Sequence, residues 1–430
     1  MKQLLIIVLF LISSGCSLDT KSGIWTKKED IKEENIIEIF KRDEVRVKEF
    51  NPTLDINLNE KIYKNIKQIP NTNDIGFSNF NSTIKKTSKF KFKKIDNFSY
   101  FEPDLVSDGK NFVFFDDKLN LFNFGINLKL VWKNNFYTKI EKNNKPLLSM
   151  ALAKDSLIIA DTIGKIFKVD FVTGKLIWEK KNFHPFNSQI KIYKDKIYTM
   201  DFNNVVRCLS TFDGKELWNF NSENVFLKSG KRKSLVIKDD VIYFNNSIGD
   251  ITALNANNGV LIWQLSTQNT LINENSFRLK FSDLIIDDKN LIFSNNANEL
   301  FSVSLNNGLI NWKQNVNSSV MPIVADKFIF SISDEGYLFI IDKFAGNIIK
   351  ITDLFDVFND KKRKKIYPVG FVIGRNDLFV TTNHGRIMVV DLKNSKTKSI
   401  KKIDNKMISR PFIFSNQILL ATDNAIIKLD

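Results

Sequence analysis

A fifteen-residue segment, Gly164 to Trp178, recurs along the chain, and this repetition constrains the fold more than any compositional property. It reads Gly-Lys-Ile-Phe-Lys-Val-Asp-Phe-Val-Thr-Gly-Lys-Leu-Ile-Trp. Clear copies run over 204–218, 249–263 and 298–312, each with Gly at position eleven and Trp at fifteen. Weaker copies run over 336–350 and 385–399, which close on Lys350 and Ser399. An earlier copy, 118–132, has Leu128 in the Gly slot and keeps Trp132. A truncated copy opens at Asn424 and stops at Asp430. The eight openings are spaced by about 44 residues, and five of the six Trp occupy the closing slot. A period of 20–50 residues is the mark of a solenoid, propeller or array.

A second motif lies upstream of each copy, in the same phase. It is a polar turn followed by alternating apolar residues, as at Asp108-Gly109, Asp155, Asp195, Asp239-Asp240, Asp287-Asp288, Asp326, Asn376 and Asn416. Each unit therefore reads as four short strands; in the second they fall near 147–153, 157–160, 165–169 and 176–180. Four strands per ~44 residues describe a β-propeller blade. The expected fold is all-β: an eight-bladed propeller with four-stranded antiparallel blades. Gly174 and Gly259 sit between strands, where a positive φ suits Gly. The Trp four places on can wedge between neighbouring blades. Blades closing on Lys350 and Ser399 lack that wedge and are expected to be less tightly stapled. The last copy has only three strands. Residues 89–95, Lys-Phe-Lys-Phe-Lys-Lys-Ile, alternate and have no partner in their own repeat, so they are expected to complete blade eight and close the ring.

The N-terminus reads as an address. Met1-Lys2-Gln3 is followed by nine unbroken apolar residues, 4–12, too few to span a bilayer as a helix, which takes ~20 residues. This fits a signal peptide. Ser13-Ser14-Gly15-Cys16 follows and resembles a bacterial lipoprotein cleavage box, with Cys16 as the lipidated first residue and Ser17 favouring the outer membrane. The expected plan is a signal peptide over 1–15, a polar tether over 16–84 with room for a short helix within 27–49, and the propeller over 85–430.

Chemistry is sparse. Hydrophobic residues at 43% and charged residues at 26% exclude wholesale disorder, and two Cys and two His exclude a disulfide framework or a His-rich metal site. The Asp116-Asp117, Asp239-Asp240 and Asp287-Asp288 pairs fall in or beside repeated turns, where turn chemistry explains them. His184 and His384 lie in a loop and a hairpin without recurring acidic partners, and Cys208 reads as a small buried hydrophobe. No catalytic, metal or cofactor residues are expected. The net charge is +15, densest at 228–233 and 361–365. Such a basic ring suits an acidic partner, anionic headgroups or simple solubility, and the export signal argues against nucleic acid.

The Gly-Lys-x-x-Trp motif resembles the blades of quinoprotein alcohol dehydrogenases, which carry pyrroloquinoline quinone, but this chain is shorter than is usual for them and has no adjacent Cys pair. The lipoprotein signal, polar tether and eight-bladed ring together resemble the BamB family, lipoproteins of the outer-membrane β-barrel assembly machinery. That resemblance implies a non-enzymatic scaffold on the periplasmic face of the outer membrane. It would bind the periplasmic POTRA domains of the barrel subunit and help deliver unfolded outer-membrane proteins. It also implies a partner site on loops after Trp218 and Trp263. The matching residues are Leu227, Lys228, Ser229, Lys231 and Arg232 in the first loop, and Arg278, Leu279 and Asp283 in the second. Leu227 takes the apolar role, Lys231 or Arg232 the cationic one, and Asp283 the acidic one. A quinoprotein dehydrogenase and a sensor or carbohydrate-binding propeller are the rival readings.

Overall fold

The strands pair within their own repeats. The computed structural model describes residues 47–59, 76–96, 98, 104–222, 230–267, 281–295 and 298–430. The signal peptide, Cys16 and residues 27–46 of the expected helix lie outside these. Eight four-stranded antiparallel sheets form, seven of them from consecutive strands. We number them as blades 1 to 7, spanning 106–134, 148–181, 191–221, 235–265, 285–315, 323–353 and 368–402, with blade 8 built from 412–429 and residues 86–91. In blade 2 the strands are Leu148–Ala153, Ser156–Asp161, Lys165–Asp170 and Leu176–Lys181. Every residue of the second is buried, while the fourth is almost wholly exposed. A middle strand is covered on both faces by adjacent blades, which is why it reads as a continuous apolar run.

Blade 8 closes as expected. Lys86–Lys91 pairs antiparallel with Ala425–Leu429, Phe90 opposite Ile426 and Lys91 opposite Ala425. The strand begins and ends earlier than the alternation suggested, and Phe92 only adds a backbone bond to the Asn424 carbonyl (2.9 Å). Phe90 and Phe92 also reach blade 1, with ring centroids 4.6 Å from Phe124 and 4.9 Å from Phe114. The closing strand thus stitches blade 8 to blade 1.

The Trp wedge is shared between blades. Each indole Nε1 donates to a carbonyl of the next blade: Trp132 to Phe171, Trp178 to Thr211, Trp218 to Ala256, Trp263 to Leu305 and Trp312 to Lys343, at 2.8–3.2 Å. The indole lies flat on the next blade's turn Gly. At Gly308, with φ +71°, an added Cβ would sit 2.7 Å from the Trp263 ring. The Gly therefore serves both the left-handed turn and the close approach.

Blades 6 and 7 use another device. Lys350 occupies the Trp slot, buried, and its Nζ donates to the Asn394 carbonyl of blade 7 (2.8 Å). It also donates to the carbonyls of Pro52 (3.1 Å) and Leu54 (2.7 Å). These belong to a stretch placed in the tether by the sequence reading. Residues 47–59 instead form a strap: Phe50 pairs with Ile351 on the open edge of blade 6, and Ile56 is buried in the core beneath blades 6 and 7. Residues 76–84 continue the packing. Phe77 bridges Ile373, Phe80 stacks on Phe379 at 5.3 Å, and Lys401 Nζ holds the Ile84 carbonyl (2.7 Å). Blades 6 and 7, whose closing slots hold Lys350 and Ser399 in place of Trp, are supported by the N-terminal segment, so the expected loose stapling is offset.

Candidate functional site

The first strand of each blade lines the axis, and the residue just before it is fixed by a recurring hydroxyl. Ser188, Ser282 and Ser409 accept the amides of Met200, Ser294 and Ala421 (2.7–2.9 Å). Each donates in turn to the carbonyl of the following residue. The following residues are Gln189, Asp283 and Arg410; Asp104 holds the same phase in blade 1.

Two ion pairs cross the ring at this level. Arg410 of blade 8 donates to Asp283 of blade 5 (2.9 Å), and Arg232 of blade 4 to Asp104 of blade 1. Each pair joins blades three places apart, across the channel. All four side chains are less than a third exposed. Burial pushes the Asp283 carboxyl up, but Arg410 and Arg232 outweigh it and hold it at about 2. Burial likewise opposes the Arg232 charge, and Asp104 and Asp283 overcome it, leaving its pKa raised. Beside the pairs lies a cavity of about 180 Å³, walled by Phe281, Met321 and Phe371 together with Lys231 and Arg410.

The structure brings together three of the expected partner residues. Lys231, Arg232 and Asp283 line this cavity. Arg232 and Asp283 are engaged across the channel, so their charges face the axis. Lys233, expected on a solvent-facing basic cluster, is buried, with Nζ over the Phe202 ring at 5.7 Å. Leu227, Lys228, Ser229, Arg278 and Leu279 lie outside the described residues. Sequence reasoning missed Asp104 and Arg410. Aligning the repeats at Ser282-Asp283 and Ser409-Arg410 would have exposed them as opposite charges in one phase.

The remaining candidates are structural. Asp239 and Asp240 both take left-handed φ (49° and 61°), the two-residue hairpin geometry that Asp and Asn tolerate. Asp116 accepts the amides of Lys118 and Asn120 within its own turn. Cys208 is buried, and burial pushes its thiol to about 11, far from a reactive thiolate. Among the described residues no three His, Cys, Asp or Glu are grouped to hold a metal, and no helix is long and apolar enough to cross a membrane. Two ion pairs cross the channel, and this charged crossing does not suit a flat quinone there.

Comparison with known proteins follows the repeat. The family described as "Outer membrane protein assembly factor BamB" matches residues 129–352. Among solved structures, BamB from Moraxella catarrhalis superposes with TM-score 0.63 at 12% identity, covering 80% of this chain and 98% of that one. Quinohemoprotein alcohol dehydrogenase from Comamonas testosteroni gives 0.63 at 10% identity, covering 86% and 81%. The C-terminal WD40 domain of Sif2 gives 0.61 at 14% identity, covering 82% and 99%. At these identities the likeness is one of fold. No curated protein sequence matches the chain.

Proposed function

This chain belongs to the BamB family of outer membrane protein assembly factors, and from that premise we propose that it is a non-enzymatic scaffold of an outer-membrane β-barrel assembly complex. It binds the periplasmic domains of the barrel subunit and assists insertion of unfolded outer-membrane proteins. Cys16 carries the lipid that holds it to the periplasmic face of the outer membrane. The partner is held by the segments carrying Leu227, Lys228, Ser229 and Lys231 and by those carrying Arg278 and Leu279. The described residues bordering those segments, Lys231 and Phe281, line the cavity.

The observation that carries this reading is the cross-braced channel. Arg232–Asp104 and Arg410–Asp283 tie together blades three places apart across the channel. The ring then offers a rigid rim, and a rigid rim lowers the ordering cost of binding. In sequence Leu227 is followed by Lys228, Lys231 and Arg232, and an apolar anchor among charges suits an interface hot spot. Arg232 and Asp283 support the site from within the channel. The test is Leu227→Asp with Arg278→Glu, assayed for co-purification with the barrel subunit. Loss of the subunit from a folded double mutant supports the site; retention moves it elsewhere on the ring.

The fold likeness to a quinohemoprotein dehydrogenase gives the second reading. Titration with pyrroloquinoline quinone separates the two: a scaffold shows no saturable uptake, and dye-linked alcohol oxidation on loading would establish the enzyme.

A further inference from the structure

The loop over 354–367, between blades 6 and 7, carries a short helix, Asp360–Arg363. Its base is firmly held. Phe355 and Ile366 are buried, and the Asn359 side chain caps the helix by accepting the Lys362 amide (3.0 Å). Arg363 turns inward, its Nη1 on Asp353 Oδ2 (2.8 Å) and its guanidinium over the Tyr337 ring at 5.1 Å. Lys361, Lys362, Lys364 and Lys365 are left exposed on this base, flanked by exposed Val357 and Tyr367. Asp356 and Asp360 offset only part of that charge.

The same corner holds the first described residues of the N-terminal segment. Glu49 Oε1 accepts the amide of Asp353, the residue that holds Arg363, and Phe50 pairs with Ile351 two residues earlier. Glu49 and Phe50 therefore lie beside the base that carries the lysine cluster. About thirty residues separate Val47 from Cys16, and such a length reaches up to ~100 Å when extended. A tether of that length brings the ring near a membrane without setting which face meets it.

We propose that the Lys361–Lys362–Lys364–Lys365 corner is a docking surface for an anionic lipid bilayer. Clustered exposed lysines are drawn to anionic headgroups within a Debye length of the surface. A lipid chain and a basic patch together give firmer attachment than either alone. Val357 and Tyr367 supply amphipathic and apolar contact at the headgroup level. The patch fixes the orientation that the tether leaves free. None of these lysines lines the channel cavity, so substituting them tests this surface apart from the proposed partner site.

The test is vesicle flotation of the mature chain carrying Cys16→Ser, which removes the anchor and isolates the patch. The probes are vesicles of phosphatidylethanolamine with 30% phosphatidylglycerol, and vesicles of phosphatidylcholine alone. Binding to the anionic vesicles is expected, with loss in 0.5 M NaCl and none on phosphatidylcholine. Lys361→Gln/Lys362→Gln/Lys365→Gln should lower the partition ~10-fold or more. A charge-matched control on the outer strand of blade 2 and the turn before it, Lys175→Gln/Lys180→Gln/Lys181→Gln, should leave it near the parent. Equal losses in the two triple variants, or equal binding to both vesicle types, would overturn the proposal. So would absent vesicle binding alongside capture of an acidic protein by the patch.

Discussion

Lys350 donates to the Asn394 carbonyl, 2.8 Å away, across the boundary between blades 6 and 7, as Trp312 donates to the Lys343 carbonyl one blade earlier. The two side chains share a slot and a hydrogen-bonding task but not a shape. An indole fills the inter-blade groove itself. An ammonium group leaves room, and the strap over 47–59 occupies it, bringing the Pro52 and Leu54 carbonyls to the same nitrogen.

Lys350→Ala should therefore cost more than one lost hydrogen bond. It leaves three carbonyls without their shared donor, at ~1–3 kcal/mol for each group that stays buried. Thermal unfolding should shift down by several degrees, and limited proteolysis should cut within 47–59. Lys350→Trp alone should also destabilise, because Ser395 stands where blades 2 to 6 have Gly and its Cβ blocks the indole. Adding Ser395→Gly should recover part of the loss. Additive effects in that pair would count against the shared slot.

The Trp263–Gly308 contact should behave as one unit. Trp263→Ala should cost ~3–5 kcal/mol from the emptied groove. Gly308→Ala must hold φ +71° and place a Cβ 2.7 Å from the ring, at ~1–2 kcal/mol for the conformation alone. Urea denaturation of the two single variants and the double should give a total well below the sum.

Ring closure by Lys86–Lys91 is testable by deleting 85–95. The deletion leaves the Ala425–Leu429 edge unpaired and strips Phe90 from Phe122 and Phe124. Broad, non-cooperative melting and aggregation are expected. A melting profile like that of the intact chain would refute closure.

Asp283 should make the ring acid-sensitive. Its folded value of about 2 lies below the ordinary carboxylate value. Between the two the unfolded chain binds the proton and the folded chain does not. The stabilisation is thus present above pH ~4 and fades as the pH falls toward 2, amounting to on the order of 2 kcal/mol. Urea unfolding across pH 2–7 should show that slope, and Arg410→Gln should flatten it.

The repeat made most of the fold legible. A closing Trp and a turn Gly at fixed phase gave the blades, and an unpaired alternating segment gave the closing strand. The strap was hidden because 47–59 carries no strand periodicity; it is held by backbone carbonyls and by Lys350, whose role depends on a tertiary gap. The cross-channel pairs were hidden for a related reason. Arg232 and Asp104 are 128 residues apart, and their meeting depends on ring closure. Arg232 and Asp283 were picked out as charged loop residues, but local sequence does not say whether a charge faces solvent or the axis. Lys233 shows the same ambiguity.

The central claim is that this ring is a binding scaffold for an outer-membrane assembly subunit. The most direct measurement is affinity purification of the tagged, full-length chain from detergent-solubilised outer membranes, with the co-purifying proteins identified by mass spectrometry. The expected result is stoichiometric recovery of the barrel subunit by the parent and its loss from the Leu227→Asp/Arg278→Glu variant. A folded, membrane-located parent that brings down no barrel subunit would contradict it.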